Sequence, residues 1–254
     1  KGKNSPLFYS VSTFSKPLST LLLVREMFKQ AEKTIAFRVG EMISHETYAA
    51  NQLPNAIKVK LFKKHLYRIA TDRKVIWPTQ SPIAHPESRK HLKHDIEQCR
   101  LIGETQDQKS IYLVEQAENT SIMRELGRLR ELSFRTIGEG AGVRRDIDRF
   151  DRYYKHLVLW DADQLEIVGA YRIGVVSEII ADFGVEGLYT HSLFRFTPPF
   201  IKRIKHGLEL GRSFVQPKYW GKRSLDYLWF GLGAFLRENP QFQYLFGPVS
   251  ISNS

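Results

Sequence analysis

One of the eight histidines of this 254-residue chain, His156, is followed five positions later by Asp161, in the stretch KHLVLWD. A carboxylate that orients an imidazole lets the ring take a proton from a hydroxyl, which is general-base chemistry for acyl transfer to oxygen. No other histidine has an acid at that spacing. The residues between them, Leu157–Trp160, are apolar and read as a strand. A strand rises about 3.3 Å per residue, which sets His156 and Asp161 roughly 16 Å apart and on opposite faces. The spacing is therefore a coincidence of letters. His85, His91 and His94 precede Asp95, but gaps of six and three residues beside prolines match no zinc pattern, and no metal is expected. The single cysteine, Cys99, stands among Lys, His and Glu without a His–Asp setting, and no G-x-S-x-G occurs. Covalent catalysis through a thiol or serine is not expected.

Composition bounds the rest. With 42% hydrophobic and 12% aromatic residues the chain can bury a core. The longest apolar run is LLLV, 21–24, far short of the roughly 20 residues a membrane span needs. A lone cysteine and the absence of a signal peptide fit a cytoplasmic protein, with peripheral attachment to the inner membrane as an extension of that reading. The chain begins at Lys1, which suggests a piece of a longer protein. Of the net charge of +11, residues 1–110 carry +9 (19 Lys/Arg against 10 Asp/Glu) and residues 111–254 carry +2 (19 against 17). No nucleic-acid module is present, so the partner of this charge is expected to be an anionic membrane surface or an acidic protein, not nucleic acid.

The elements that would position any chemistry divide the chain. Residues 1–76 read as a helix (18–33), an alternating strand (33–43) and a basic amphipathic helix (55–72), which packs on its own domain or lies on anionic lipid. Residues 77–108 read as a linker, because 77–88 hold three prolines and three Ser/Thr. From 109 onward come a strand (109–116) and a helix opened by Thr120 or Ser121 with the stripe Met123, Leu126, Leu129, Leu132 and Phe134. A hairpin turned at ADQ, a strand (207–215), a helix (224–239) and a strand (244–251) follow. This is a mixed α/β (α+β) layout.

Three blocks in the second half occur in a fixed order. They are Arg130-x3-Phe134; DIDRFD followed by HLVLWDADQLEIVGAYRI, which holds Asp148, Asp151 and Arg172; and ELGRSFVQP, which holds Glu209, Arg212 and Val215. With YLFGPVSIS after them, they resemble the N-acyltransferase branch of the GNAT superfamily over residues 109–254. The likeness is to its acyl-carrier-protein-dependent members: the acyl-homoserine-lactone synthases and the bacterial enzymes that N-acylate ornithine or glycine to make aminolipids. The resemblance implies a mostly antiparallel sheet flanked by helices, beside a small N-terminal α/β segment. It also implies two central strands that splay apart around a pantetheine arm, and a fold that continues past SISNS into further elements. No tightly bound cofactor is implied. The co-substrate would be an acyl-phosphopantetheine thioester, carried by an acyl carrier protein or by coenzyme A, and the acceptor a small amino acid.

The same resemblance assigns roles. Glu209 is the general base, directly or through a water, or else an ion-pair partner of Arg212 or Arg172. Asp148 and Asp151 hold the substrate ammonium or an arginine, or cap the turn. Arg130, Arg172 and Arg212 bind the acceptor carboxylate or brace the acids. Phe134 and Val215 line the acyl side, with Phe134 and Trp160 also suited to the core. The loop QPKYWGKRS keeps one glycine, Gly221, and has Arg223 where the family's coenzyme A loop has a small residue. That favours a carrier protein, whose acidic surface Lys218, Lys222 and Arg223 would meet, together with Lys202, Arg203 and Lys205. Residues 10–44 resemble more faintly the close of a lysophospholipid-acyltransferase domain, as in hemolysin-like bifunctional proteins. That leaves two alternatives: lysolipid O-acylation by a preceding part, or a non-catalytic membrane-binding protein.

Overall fold

The computed structural model describes residues 5–29, 31, 34, 37–71, 73–115 and 120–250. It falls into two compact units, residues 1–40 with 53–76 and residues 41–52 with 77–254. Before the sheet come α1 (Pro6–Phe14), α2 (Lys16–Phe28), α3 (His45–Ala49) and α4 (Asn55–Ile69), of which α3 belongs to the second unit. In the first unit Ser5 caps α1, accepting from the Phe8 amide at 3.3 Å, and donates through both its amide and its hydroxyl to Glu26 at 2.6 Å. Helix α4 turns His65 inward and leaves Ile57, Val59, Leu66 and Tyr67 exposed. The strand expected at 33–43 is not found. Lys33, Ile35 and Ala36 lie outside the described residues, Phe37–Gly40 is irregular and exposed, and Met42 makes only an isolated bridge to Gln80. An alternating run forms a strand only where a partner strand is available. The first unit is therefore helical among its described residues. No helix there or elsewhere among the described residues is long and apolar enough to cross a membrane.

The second unit contains α5 (Arg89–Glu97), β1 (Arg100–Glu104), β2 (Lys109–Val114), α6 (Ser121–Thr136), β3 (Lys155–Asp161), β4 (Glu166–Val175), α7 (Val176–Phe183), α8 (Pro198–Ile204), β5 (Gly207–Val215), α9 (Ser224–Glu238) and β6 (Tyr244–Phe246). The six strands are in sequence order, all antiparallel except the β5–β6 pair. The expected linker is thus partly structural. Leu92 and Ile96, one turn apart on α5, are buried in the core, and β1 is the sheet's edge strand. Linker composition ends near Ser88, and an i, i+4 apolar pair follows it.

Alternation along β3 and β4 builds two cores. Val158, Trp160, Ile167 and Ala170 pack under α5 and α6, while Leu157, Leu159, Val168 and Ile173 pack under α9. His156 pairs with Arg172 near one end of the β3–β4 ladder and Asp161 with Glu166 at the other. The two side chains that opened the sequence analysis do not meet. Asp161 instead accepts the Asp163 and Gln164 amides at 3.1 and 3.0 Å and closes the hairpin.

Two departures from regularity shape β5. Ala170 pairs with Phe214 but Arg172 with Gly211, so β5 carries one extra residue there, and Arg212 takes φ 49°. This bulge turns Arg212 out of the alternation while Phe214 still reaches the α6 core. On the other side, β6 pairs only with Gly207–Glu209, which leaves Leu210–Val215 without a β6 neighbour. Gly247 follows directly, pressed so close to the Leu210 carbonyl that a Cβ would collide with it. The β5–β6 ladder therefore ends at Glu209, with Gly247 still against Leu210. Gly174, opposite Glu209 on β4, leaves room for the Tyr154 ring. Gly174→Ala is expected to destabilise the protein by about 1–3 kcal/mol through overpacking, read as a lowered urea midpoint; an unchanged midpoint would show that the ring is not held against the strand.

Candidate active site

The polar residues of the sequence blocks converge on the α6 face of the sheet. Arg130 comes from the third turn of α6, whose start is fixed by Thr120 accepting from the Met123 amide at 3.1 Å. Asp148 and Asp151 come from a short 3-10 turn, Arg149–Arg152, which they close as a capping box. Asp148 accepts from the Phe150 amide at 2.9 Å, and Asp151 accepts from the Asp148 amide at 2.8 Å. His156, Arg172 and Gly211 stand side by side on β3, β4 and β5.

Asp151 joins two cations. It accepts from Arg130 Nη1 at 2.8 Å and from Arg172 Nη1 at 3.2 Å, and all three side chains are almost completely buried. Asp148 accepts from Arg172 Nη1 at 2.7 Å. Arg212, turned by the bulge, pairs with Asp146 at 3.3 Å and Asp148 at 3.5 Å. Burial alone would raise the Asp151 pKa, but Arg130 and Arg172 hold it well below the usual carboxylate range. Asp146, buried with less compensation from Arg212, is pushed up. The acids cap their turn and hold arginines at once. Arg130 and Arg172 brace those acids, and among the described residues no carboxylate reaches them from outside the network. Two of the Arg172 nitrogens, Nε and Nη2, lack a hydrogen-bond partner, and the faces of Tyr154 and Tyr189 lie 5.0 Å from its guanidinium carbon. These ring faces supply part of the missing negative potential.

His156 belongs to this network, though not for the reason its spacing suggested. Its Nδ1 lies 3.1 Å from Arg130 Nη2, which can only donate. The imidazole therefore accepts there and is neutral, and burial followed by the Arg130 charge pushes its pKa down to about 3.

Glu209 is not in the ion pair with Arg212 or Arg172 that one of its expectations gave it. No arginine touches it. Its Oε1 accepts from the Thr190 amide and hydroxyl, each at 2.5 Å, and its Oε2 from the Tyr154 hydroxyl and from the Tyr189 amide at 3.2 Å. Only 1% of the residue is exposed. Burial and the neighbouring carboxylate raise the Tyr154 pKa, so that phenol remains a donor. Thr190 in turn lines a cavity of about 430 Å³ walled by Phe194, Phe196, Phe200 and Phe246. A second cavity, about 380 Å³, lies against Asp148 and Asp151 with Arg124, Arg149 and Arg152 around it. Tyr154, Tyr189, Thr190 and Asp146 are absent from the sequence expectation. Their partners lie 19 to 66 residues away in the chain; Asp146 opens the DIDRFD block without having been singled out, and the other three stand in no spaced motif.

The remaining expected residues lie elsewhere. Phe134 packs partly buried against the α6 core, and the Val215 carbonyl accepts from Trp220 Nε1 at 2.6 Å at the end of β5. Of the proposed docking cations, Lys218 is bound to Glu166, and Arg223 pairs with Asp226 at 3.6 Å. Lys222 lies over the Tyr219 ring at 5.1 Å. A cavity of about 390 Å³ lies between Ser213, Val215, Trp220 and Lys222, at the start of α9. Gly221 there has φ 74°, and no side chain caps the helix. Among the described residues, no cluster of three or more His, Cys, Asp or Glu is placed to hold a metal.

Two stability predictions follow from the network. Arg130→Met leaves Asp151 buried with half its compensation, and urea unfolding should show a loss of about 3–5 kcal/mol, part of it recovered by adding Asp151→Asn. A loss below about 1 kcal/mol would contradict the shared ion pair. His156 in the unfolded chain binds a proton below about pH 6.5, and in the folded chain only near pH 3. Between those values the unfolded state holds the extra proton, so stability falls with decreasing pH by about 1.4 kcal/mol per unit. His156→Gln should flatten that slope, as measured by urea midpoints between pH 7 and pH 5.

Comparison with known proteins agrees with this geometry. Residues 129–230 match the acetyltransferase (GNAT) domain family. The glycine N(alpha)-acyltransferases of Bacteroides thetaiotaomicron and Phocaeicola vulgatus are each 36% identical over 182 residues. The match covers 66% of this chain and 54% and 56% of those proteins. The L-ornithine N(alpha)-acyltransferase of Brucella abortus is 32% identical over 138 residues, 48% of this chain and 47% of that protein. The chain thus spans about half the length of the curated relatives it matches. No solved structure matches it. Residues 129–230 of the sheet unit thus form a GNAT acetyltransferase domain, and the chain is similar to glycine and L-ornithine N(alpha)-acyltransferases.

Proposed function

We propose that this protein transfers a fatty acyl group from the thioester of an acyl carrier protein to the α-amino group of a small amino acid, glycine or ornithine, as a step in aminolipid synthesis. The observation that carries this reading is the position of Glu209. It is the last β5 residue paired with β6, so a thioester entering where the ladder ends would meet it at once.

The chemistry needs an amine that has lost its proton and a carbonyl whose oxyanion is held by fixed donors. Glu209 is sealed from direct contact, but Thr190, whose hydroxyl donates to it, lines the cavity walled by phenylalanines. A proton leaving the substrate ammonium passes to Thr190 Oγ1 as the Thr190 proton moves to Glu209. The amine nitrogen then bonds to the thioester carbon, the C–S bond breaks, and the thiolate takes the second proton from that nitrogen, leaving the amide and the free carrier thiol, while the first proton returns from Glu209 to solvent. Backbone amides of the β6-free edge of β5, Leu210–Val215, are the available donors for the oxyanion. The ion-paired network keeps β3, β4, β5 and the 146–152 turn in register behind this edge.

A phosphopantetheine arm fits the cavity at the start of α9, where the uncapped first amides favour a phosphate. A loop with the single glycine Gly221 is suited to one phosphate more than to the pyrophosphate of coenzyme A, and Lys222 is a cation for an acidic carrier surface. The cavity with Asp148, Arg124, Arg149 and Arg152 carries both charge signs that an amino-acid zwitterion requires.

Glu209→Gln is expected to lower kcat for acyl-carrier thioester turnover with glycine by about 10²–10⁴-fold, and Thr190→Val should fall in the same range while Thr190→Ser retains most activity. Equal activity in all three variants would remove Glu209 from the chemistry.

A further inference from the structure

The segment between α7 and β5 is basic and carries exposed aromatic residues. From Gly187 to Leu208 there is no Asp or Glu, yet there are four Lys/Arg: Arg195, Lys202, Arg203 and Lys205. All four are exposed, and none is in an ion pair among the described residues. Leu193, Phe194 and Phe200 beside them are 52%, 59% and 38% exposed. Isolated exposed apolar residues are ordinary, but three large ones interleaved with unpaired cations are not. The segment is not loosely held. Leu188 and Ile204 at its two ends are buried in one core cluster with Tyr154 and Phe150, and Phe196 stacks edge-on between His191, Phe200 and Phe246.

We propose that residues 188–206 form the surface by which this protein sits on an anionic lipid bilayer, with Leu193, Phe194 and Phe200 entering the interface and the four cations pairing with lipid phosphates. Mixed aromatic and basic surfaces bind where apolar burial and the negative leaflet potential act together. An acidic protein would satisfy the cations but gives no comparable reason for the exposed rings. The cavity walled by Phe194, Phe196, Phe200 and Phe246 opens within this surface, and its inner wall is Thr190, one hydrogen bond from Glu209. On the N-acyltransferase reading, on which this purpose rests, an acylated product leaves the reaction centre by an apolar route into the membrane that will contain it. The surface itself is argued from exposure and charge alone.

The test is sedimentation of the full chain with vesicles of phosphatidylcholine, and with an equal mixture of phosphatidylcholine and phosphatidylglycerol, at low and physiological salt. Binding is expected to the mixed vesicles and to weaken with salt. The variants Leu193→Ser/Phe194→Ser and Lys202→Glu/Arg203→Glu/Lys205→Glu should each weaken it by about tenfold or more; all five residues are exposed, and circular dichroism checks that both variants fold. Failure to bind, equal binding to neutral vesicles, or unchanged binding by both variants would overturn the proposal. So would a charge variant that bound vesicles normally but had a raised KM for acyl carrier protein, because the surface would then belong to the carrier. Lipid-free turnover of a short-chain thioester is measured in parallel. Vesicle binding without any turnover would uphold this surface while removing the N-acyltransferase reading.

Discussion

The domain depends on one shared carboxylate. Asp151 accepts from Arg130 and Arg172 in a site with almost no solvent, while its other oxygen closes the turn that carries Asp148. Burying such charges is costly unless each is compensated, and here compensation is distributed over an α-helix, a turn and three strands. Displacing any one of these elements strands a charge. The network therefore fixes where the 146–152 turn lies on the sheet, and with it the bulge at Arg212, whose side chain ends on Asp146 and Asp148. In this arrangement three conspicuous arginines act as scaffolding behind the β5 edge.

That edge is made by subtraction. The β5–β6 ladder ends after three paired residues, with Gly247 still against Leu210. A carboxylate at this point would ordinarily be solvated. Glu209 instead receives four donors from Tyr154, Tyr189 and Thr190, so its environment is polar without being wet. Proton exchange through the Thr190 hydroxyl reconciles a sealed carboxylate with an acid–base role. The cavity that Thr190 lines is walled by phenylalanines, whereas the one against Asp148 and Asp151 is lined by charged groups.

How much of this was legible in the sequence depends on range. The α6 stripe, the β3–β4 hairpin and the strand that separates His156 from Asp161 follow from periodicity, and the structure has all three. The ordered motif blocks brought Arg130, Asp148, Asp151, Arg172, Glu209 and Arg212 onto one list, and the fold brings them to one face of the sheet. What periodicity could not supply was which group bonds to which. Glu209 was paired on paper with arginines, whereas the alternation of β5 and the space left by Gly174 direct Tyr154 to it. Thr190, in an irregular stretch between helices, carries no pattern at all. The linker composition of 77–88 masked α5, because prolines announce themselves and the pair Leu92 and Ile96 does not. The alternation at 33–43 misled for the opposite reason: it has the period of a strand without a neighbour to pair with.

The account stands on acyl transfer to nitrogen. Its most direct measurement is the mass spectrum of the products formed from a long-chain acyl-carrier thioester supplied with glycine, ornithine and a lysophospholipid together. The account predicts an N-acyl amino acid whose linkage survives mild alkali, formed with stoichiometric release of carrier thiol. An alkali-labile ester on the lysophospholipid, or thiol release with no acylated amine, would contradict it.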